Sequence, residues 1–252
     1  MARALVTGAT AGIGRAFAQR LAEAGWNLVL VARDAQRLEE AARELRRYAV
    51  DVDVLAADLS EDKSLATVER RLDDDDQPVD MLVNNAGFAI GRRFLRTRLE
   101  DEDLLLRVLV RAVLRLTHVG VHAMVRRGRG VVVNVSSMAG FVPQSTYNAA
   151  KAYVTTLTES VATELDGTGV HVLAVCPGYT HTEFHDRASI DKGTIPSLLW
   201  LDVEQVVDGA LDDLRRGVIV SVPTLRYKVV AAAARLGPRR LVTAISSRLG
   251  RH

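Results

Sequence analysis

The sequence is poor in several features that mark particular classes of protein. One cysteine, Cys176, among 252 residues excludes an internal disulfide framework and a multi-cysteine zinc site, and it fits a reducing compartment. Basic residues number 33 and acidic residues 31, so the net charge gives no argument for nucleic-acid binding. No apolar run approaches the ~18 residues that a membrane span needs, and residues 1–8 are too short and strand-like for a signal peptide. We therefore expect a cytoplasmic protein that binds no nucleic acid.

The chain instead contains short apolar runs that alternate with segments of helical period. The apolar runs predict strands at residues 4–7, 27–31, 52–56, 79–83, 130–135, 170–175 and 218–222. Helices are predicted at 13–24, 35–48, 100–126, 146–165 and 203–214, with a further helix that ends at 72 after a turn at 58–60. Strands that are apolar on both faces indicate a doubly wound parallel α/β sheet with helices on both faces. We expect one domain over residues 1–222, with a lid at 183–200, and then a basic amphipathic helical extension at 223–252.

A glycine-rich turn follows the first predicted strand and opens the first helix. It reads Thr7-Gly8-Ala9-Thr10-Ala11-Gly12-Ile13-Gly14. Such a turn brings backbone N–H groups and a helix N-terminus to one point, where their partial positive charge suits a pyrophosphate. Side chains at the close-approach positions would block the ligand, so glycine is needed there. In this strand–turn–helix context the turn predicts dinucleotide binding, and the alternative is a turn that only packs the helix on the strand.

The residues after the second strand bear on the choice of dinucleotide. A carboxylate at this place favours NAD, because it hydrogen-bonds the ribose 2′-hydroxyl. Here the first polar residue is Arg33, whose guanidinium suits a 2′-phosphate and therefore predicts NADP(H), with NAD(H) kept as the second option. Asp34 is interpreted as a helix N-cap, although it is also placed to face the ribose. Arg15, just inside the first helix, is expected to add positive charge.

A tyrosine and a lysine are spaced to share one helix face. Tyr147 and Lys151 are four residues apart near the start of a predicted helix. A free phenol has a pKa of ~10, and a nearby ammonium is expected to lower that pKa, so that the phenol can act as a general acid or base. Ser136 and Ser137 end the fifth strand, where a hydroxyl can polarise a carbonyl oxygen held by Tyr147. Taken alone, the Tyr–Lys pair would be interpreted as an ordinary surface pair, because this spacing occurs by chance on many helix faces.

Together these motifs resemble the short-chain dehydrogenase/reductase family, of the NADP-preferring type. The matching segments also include Asp58-Leu59, Asn84-Asn85-Ala86-Gly87, Val135-Ser136-Ser137 and Pro177-Gly178 with Thr180 and Thr182, in family order over residues 1–222. The resemblance implies a Rossmann-type fold and NAD(P)-dependent oxidoreduction. It implies Tyr147 as proton donor or acceptor, Lys151 as a ligand of the nicotinamide ribose that lowers the pKa of Tyr147, and Ser137 as the group that orients the substrate oxygen. The residues implied to bind the cofactor are Gly8, Thr10, Ala11, Gly12, Ile13, Gly14, Arg33, Asp58, Leu59, Asn84, Asn85, Ala86, Gly87, Tyr147, Lys151, Pro177, Gly178, Thr180 and Thr182.

Two features depart from the family pattern. Members usually carry an asparagine in the long helix before the fifth strand, where it holds a water in the proton relay behind the lysine, and Leu109 stands at that place. Leucine cannot hydrogen-bond, so another polar group holds the water, the relay is rerouted, or activity is weak. The segment between Ser137 and Tyr147 is also shorter than in many members. We choose Ser137 over Ser136 because it occupies the usual second-serine place.

Other chemically suggestive residues are interpreted without a metal or a second active site. The pairs His118/His122 and His181/His185 have a spacing that can bind zinc, but no acidic or cysteine residue supports either pair, so we predict no metal. His118 and His122 are expected on a helix surface, and His185 is a candidate to border the pocket. The acidic run at 73–76 is expected to be a solvated loop, and Cys176 a buried core residue.

The residues after the sixth strand bear on substrate and partners. Apolar side chains of the predicted lid are expected either to line a pocket for a bulky or apolar carbonyl substrate or to anchor the lid; they are Phe184, Ile190, Ile195, Leu198, Leu199 and Trp200. Residues 224–252 carry seven basic residues and no acidic one. We favour packing of this tail on the body or on a second subunit over peripheral membrane contact. The resemblance implies a homodimer or homotetramer.

The sequence therefore predicts an NADP(H)-dependent oxidoreductase that interconverts a carbonyl and a secondary alcohol. The competing hypothesis is a dinucleotide-binding sensor or scaffold whose catalysis is weak or lost, and Leu109 is the feature in its favour. The presence of Ser137, Tyr147 and Lys151 argues against it, because a protein that only binds has no need of an acid–base set.

Overall fold

The computed structural model describes residues 1–184 and 196–237, and these residues form a doubly wound parallel sheet with helices on both faces. The sheet has seven strands in the order β3-β2-β1-β4-β5-β6-β7, all parallel. The strands are β1 Arg3–Thr7, β2 Asn27–Ala32, β3 Val52–Ala56, β4 Met81–Asn84, β5 Gly130–Val135, β6 Val170–Val175 and β7 Val220–Ser221. The order reverses between β1 and β4, and ligands of such sheets bind beyond the carboxyl ends of the strands at this point. The predicted fold class is confirmed.

Eight α-helices cover the two faces of the sheet within the described residues. They are α1 Gly12–Glu23, α2 Ala35–Leu45, α3 Asp62–Leu72, α4 Leu99–Leu106, α5 Val113–Arg127, α6 Thr146–Glu164, α7 Val203–Arg215 and α8 Leu225–Leu236. Side chains alternate along each strand, so Ala4 and Val6 of β1 pack in the core beneath α1, α2, α7 and α8. Leu5 packs in the opposite core with α3, α5 and α6. This alternation is why the strands read as apolar on both faces.

Several predicted boundaries differ from the observed ones. The predicted helix 100–126 contains a π-helical turn, Arg107–Ala112, between α4 and α5, and Leu109 lies in it. The helix predicted to reach residue 48 ends at Leu45 and continues as a 3-10 turn, Arg46–Tyr48. β7 is two residues long rather than five, because it is an edge strand that pairs with β6 only through Ala174↔Val220 and Val175↔Ser221.

Part of the predicted C-terminal extension belongs to the folded body. Tyr227 and Ala231 of α8 are buried in the core that α1, α2 and α7 also form. Within the described residues no helix has both the length and the apolar character needed to cross a membrane. Residues 185–195 of the predicted lid, which include His185, Ile190 and Ile195, and residues 238–252 of the basic tail lie outside the described residues.

Candidate active site

The glycine turn after β1 forms a tight cradle against the segment after β4. Gly8 and Gly12 have positive φ angles of 67° and 54°, a conformation that side chains disfavour. A Cβ on Gly8 would lie 2.8 Å from Asn85 Nδ2 and 2.9 Å from Ala86 Cα. The N-cap of α1, Ala11, makes no side-chain hydrogen bond to the helix amides. The first amides of α1 therefore point into a cradle that a Cβ would fill, and this arrangement fits a dinucleotide pyrophosphate.

The segment from Asn84 to Gly87 is tied to this turn by hydrogen bonds. The backbone amides of Asn85 and Ala86 both donate to Thr7 Oγ1 at 3.0 Å, and Asn85 Nδ2 donates to the carbonyls of Thr7 and Gly8. The Asn84 side chain differs, because it is buried and donates to Asn134 Oδ1 at 2.9 Å and to Thr117 Oγ1 at 3.2 Å. Asn84 was predicted to line the cofactor, but its amide instead joins the sheet to α5.

The region after β2 and β3 contains a freely presented arginine. The Arg33 side chain is 73% exposed, and its nearest carboxylate, that of Asp58, is 4.0 Å away. Asp34 caps α2 by accepting from the backbone amide of Arg37 at 3.0 Å, as predicted. Arg15 forms an ion pair with Glu44 of α2, which offsets part of the positive charge that it could add.

The two residues predicted at the adenine end differ in exposure. Asp58 turns its carboxylate toward Ser60, which donates to it from the backbone amide at 2.9 Å and from the hydroxyl at 2.7 Å. Leu59 has its side chain buried in the core that α3 forms with the sheet. Any contact of Leu59 with an adenine therefore involves little of its side chain.

Tyr147, Lys151 and Ser137 lie together where β5 ends and α6 begins. The Ser137 hydroxyl lies close enough to the Tyr147 phenol to lower its pKa. Lys151 Nζ lies 5.8 Å from the centroid of the Tyr147 ring and donates to the Val135 carbonyl at 2.7 Å. Ser145 caps α6, with its Oγ accepting from the Asn148 amide at 3.4 Å. The capped first turn of α6 thus places the phenol and the ammonium one turn apart beside the strand end.

The two serines after β5 have different surroundings. Ser136 is buried, and its Oγ donates to the Lys151 carbonyl and contacts Thr155 Oγ1, both at 2.7 Å. Ser137 is only partly buried, and its Oγ accepts from the Ala139 amide at 3.1 Å in addition to contacting Tyr147. Ser136 therefore anchors α6 to the strand, and Ser137 is the serine on the side of the phenol.

Burial shifts the pKa values of both titratable groups of this set. It raises the pKa of Tyr147 to about 12, and the neighbouring Ser137 hydroxyl offsets part of that rise. It lowers the pKa of Lys151 to about 8, because desolvation disfavours the ammonium. The expected lowering of the phenol's pKa by the ammonium is not seen in this structure, because desolvation sets the direction of the shift.

Leu109, where the family usually carries an asparagine, lies in the core between α4 and α6. It is fully buried with Leu105 and Ala150, in a cluster that the Tyr147 ring also contacts. A Cβ on Gly87 would lie 2.7 Å from Leu109 Cδ2 and 4.0 Å from Lys151 Nζ. Leu109 and Lys151 thus both face Gly87, and Leu109 offers no hydrogen-bonding group there.

Three consecutive residues after β6 reach three parts of the site. Thr182 Cγ2 lies 2.9 Å from the Cβ position of Gly12, at the glycine turn. Glu183 forms a bidentate ion pair with Arg37 of α2, at 2.9 Å from Nη2 to Oε1. The Phe184 ring packs on the Tyr147 ring, with 5.7 Å between the centroids. Sequence reasoning missed Arg37 and Glu183, because nothing local links residues 146 positions apart.

The remaining candidates lie at the surface or in the core. His118 and His122 are exposed on α5, with ring centroids 4.3 Å apart, and His181 stacks on Trp200. In residues 1–184 and 196–237 no three His, Cys, Asp or Glu side chains are grouped to hold a metal. Asp73 pairs with Arg126, and Cys176 is buried 3.7 Å from Thr155 Oγ1.

Comparison with known proteins gives consistent matches. The family model for short chain dehydrogenase matches residues 2–193. Sulfoacetaldehyde reductase 2 of Chromohalobacter salexigens is 37% identical over 185 residues, which cover 71% of this chain and 73% of that protein. Serine 3-dehydrogenase of Agrobacterium fabrum is 34% identical over 186 residues, which cover 71% of this chain and 72% of that protein.

Solved structures match over more of the chain. A short-chain dehydrogenase from Sphingobium yanoikuyae in complex with NADPH superposes with a TM-score of 0.85 and 38% identity, over 92% of this chain and 93% of that one. The bulky-bulky ketone specific alcohol dehydrogenase from Comamonas testosteroni superposes with a TM-score of 0.81 and 34% identity, over 92% of both chains. The glycine turn, Ser137, Tyr147, Lys151 and Thr182 all fall within the residues that the family model matches.

Proposed function

We propose, from the premise that this chain belongs to the short-chain dehydrogenase family, that it is an NADP(H)-dependent enzyme that interconverts a carbonyl and a secondary alcohol. The chain is a dehydrogenase/reductase that acts on alcohol or carbonyl groups, as its relatives and structural neighbours are. The observation that carries the finer proposal is that Ser137, Tyr147 and Lys151 come together where β5 ends and α6 begins, with Lys151 Nζ 5.8 Å from the centroid of the phenol ring.

These three side chains have distinct tasks. The nicotinamide supplies or accepts the hydride when the cofactor is bound. Ser137 and Tyr147 hold the substrate oxygen between their hydroxyls, and Tyr147 gives its proton to that oxygen as negative charge develops on it. A phenol whose pKa is about 12 is protonated at neutral pH, which favours the role of acid in reduction. Lys151 holds the nicotinamide ribose, and its charge stabilises the phenolate that is left.

The cradle and its flanks support binding of the dinucleotide by the predicted residues. The pyrophosphate binds at Gly8, Gly12 and the first amides of α1. The cofactor then lies along Asn85, Ala86 and Gly87 and reaches Tyr147. Thr180 and Thr182 belong to the strand end that covers the nicotinamide. Thr180 is buried, and its Oγ1 donates to the Gly178 carbonyl at 3.1 Å, which holds this strand end in a defined conformation.

The preference for NADP(H) rests on the exposed guanidinium of Arg33. The next residue, Asp34, uses its carboxylate to cap α2. It is therefore poorly placed to bind a ribose 2′-hydroxyl. The structural neighbour that carries NADPH favours the same choice. NAD(H) is the second option, because the Asp58 carboxylate lies 4.0 Å from Arg33 and repels a 2′-phosphate.

The substrate pocket favours a bulky or apolar carbonyl compound. Next to Tyr147, the Phe184 ring packs at 5.7 Å between the centroids and provides an apolar surface. The alcohol dehydrogenase from Comamonas testosteroni, which is specific for bulky-bulky ketones, has a similar fold and supports this class. Exposed leucines on the α4–α5 surface, Leu106 and Leu114, support a homodimer or homotetramer.

A panel of aldehydes and ketones, assayed by loss of NADPH or NADH absorbance, tests this function. We expect turnover with bulky ketones and a higher kcat/KM for NADPH than for NADH. Tight NADPH binding without turnover on any member of the panel would favour the second candidate function, a dinucleotide-binding sensor. The observation behind that candidate is the apolar side chain of Leu109 beside Lys151.

A further inference from the structure

Tyr227, on the first turn of α8, contacts two stretches of the chain, at Gly178 and Tyr179 and at Leu199. Its ring is 5% exposed and packs against the backbone of Gly178, so closely that a Cβ on Gly178 would overlap the ring carbons. Its hydroxyl accepts from the Tyr179 amide at 3.1 Å and donates to the Leu199 carbonyl at 2.7 Å. One phenol therefore uses both its acceptor and its donor capacity, on residues twenty positions apart in sequence.

The two stretches that Tyr227 joins are also paired with each other. Thr180 and Leu201 form a parallel β-bridge. The Leu201 amide donates to the Tyr179 carbonyl at 2.8 Å, and the His181 amide donates to the Leu201 carbonyl at 2.9 Å. Tyr227 adds its hydrogen bonds next to Gly178, at the beginning of this short ladder. Residues 178–182, which follow β6, are therefore held by Leu201 and by Tyr227.

α8 is itself a firm support for the phenol. Ala231, one turn after Tyr227, is buried in the same core as Val206 and Val207 of α7. Arg226 adds a second contact, because its guanidinium donates to the Leu198 carbonyl. Burial also raises the pKa of Tyr227, so the phenol stays neutral and keeps both hydrogen bonds over the usual assay range.

We propose that Tyr227 is a positioning residue, which sets the place of Gly178, Thr180 and Thr182 over the nicotinamide half of the bound cofactor. The proposal rests on the proposed function, since it assumes that this strand end covers the nicotinamide. Further along the chain from the residues that Tyr227 holds, Thr182 contacts the glycine turn and the Phe184 ring packs on Tyr147. A shift at Gly178 is therefore expected to act at Tyr147 and the nicotinamide half, since the glycine turn is also held by the hydrogen bonds of Asn85.

The test compares Tyr227→Phe with the wild-type enzyme for two ligands. The variant keeps the ring but loses the hydroxyl, so the core remains filled and the Tyr179 amide and the Leu199 carbonyl lose this partner. Binding of NADPH is measured by its fluorescence, and binding of 2′-phospho-ADP-ribose, which lacks the nicotinamide, by calorimetry. We expect the Kd of NADPH to rise about three- to tenfold, as the loss of one or two hydrogen bonds predicts, and the Kd of 2′-phospho-ADP-ribose to stay within twofold.

A matched control is Tyr48→Phe, which removes a phenol that is 42% exposed and bonded to Glu23 on the surface. It should leave both Kd values unchanged. A second readout is amide hydrogen exchange, in which Tyr227→Phe should speed the exchange of the Tyr179 amide. The exchange rate reports the hydrogen bond between the Tyr179 amide and the Tyr227 hydroxyl directly. It can be measured even if Tyr227→Phe lowers the thermal midpoint.

The outcomes separate this inference from the proposed function. If the wild-type enzyme binds neither ligand, the proposed function fails. If the wild-type enzyme binds both and Tyr227→Phe lowers only the thermal midpoint, with both Kd values unchanged, Tyr227 is merely structural and the inference is overturned. Equal weakening of both ligands also overturns it, because the effect is then not confined to the nicotinamide half.

Discussion

At the scale of single residues, burial shifts the pKa values of Tyr147 and Lys151, whereas the Arg33 side chain lies in solvent. Tyr147 and Lys151 are shifted in opposite directions, toward pKa values of about 12 and about 8, and in both cases desolvation is the largest cause. Arg33 is mostly exposed and has one distant carboxylate neighbour. We therefore expect the activity to depend on pH through Tyr147 and Lys151, and the choice of cofactor to depend on Arg33.

The pH dependence follows from Lys151. Its pKa is lowered, so the ammonium is present below about pH 8 and is lost above it. We expect kcat/KM for NADPH to be level from pH 7 to about 8 and to fall above that, because the neutral amine holds the ribose less strongly. Lys151→Arg, which stays charged, should abolish the fall. A profile that is level to pH 10 in the wild-type enzyme contradicts the pKa assignment.

The cofactor preference is tested by Arg33→Ser. A charge-assisted hydrogen bond contributes about 1.5–3 kcal/mol, so kcat/KM for NADPH should fall by about ten- to a hundredfold, while kcat/KM for NADH changes little. Arg98→Ser is a matched control, because the Arg98 side chain is also exposed, at 71%, and the residue precedes α4 rather than following β2. An equal loss with both cofactors, or none, would show that Arg33 does not meet the 2′-phosphate.

At the scale of elements, the sequence predicted regular structure better than it predicted contacts between distant segments. Strands and helices could be read from apolar periodicity, and the cap of α2 from Asp34, because these signals are local. The length of β7 could not be predicted, since it depends on which residues of the edge pair with β6, and only Val220 and Ser221 do so. The ion pair of Arg37 with Glu183 and the packing of Tyr227 on Gly178 join residues far apart, which no local pattern encodes.

The segment after β6 depends on one of these distant contacts. Glu183→Gln removes the ion pair that ties it to Arg37, and both side chains are partly exposed, so the loss of stability should be at most about 1 kcal/mol. We expect KM for NADPH to rise about two- to fivefold at low salt, with kcat nearly unchanged, because Thr182 and Phe184 lose their tether. Asp73→Asn, which breaks the exposed pair with Arg126 away from the site, is the control. An identical response of the two variants means that the tether has no role in binding.

At the scale of the whole molecule, the reversal of strand order between β1 and β4 decides where chemistry takes place. It brings the glycine turn, the Asn85 segment, Ser137 and the end of β6 to one edge of the sheet. This arrangement follows from rules for parallel sheets, so the location of the site was predictable from the order of strands and helices. The pKa shift of Tyr147 could not be predicted from the sequence, because its desolvation depends on packing from α4, the π-helical turn and α6 together.

The central claim is that the Tyr147 phenol is the proton donor of an enzyme that binds NADPH. The most direct test is Tyr147→Phe, assayed for ketone turnover and, separately, for NADPH binding by fluorescence. The account predicts that turnover is lost by at least a hundredfold, in line with the effect of removing a general acid, while the Kd of NADPH stays within about threefold of the wild-type value. A Phe variant that reduces ketones at the wild-type rate would contradict the account.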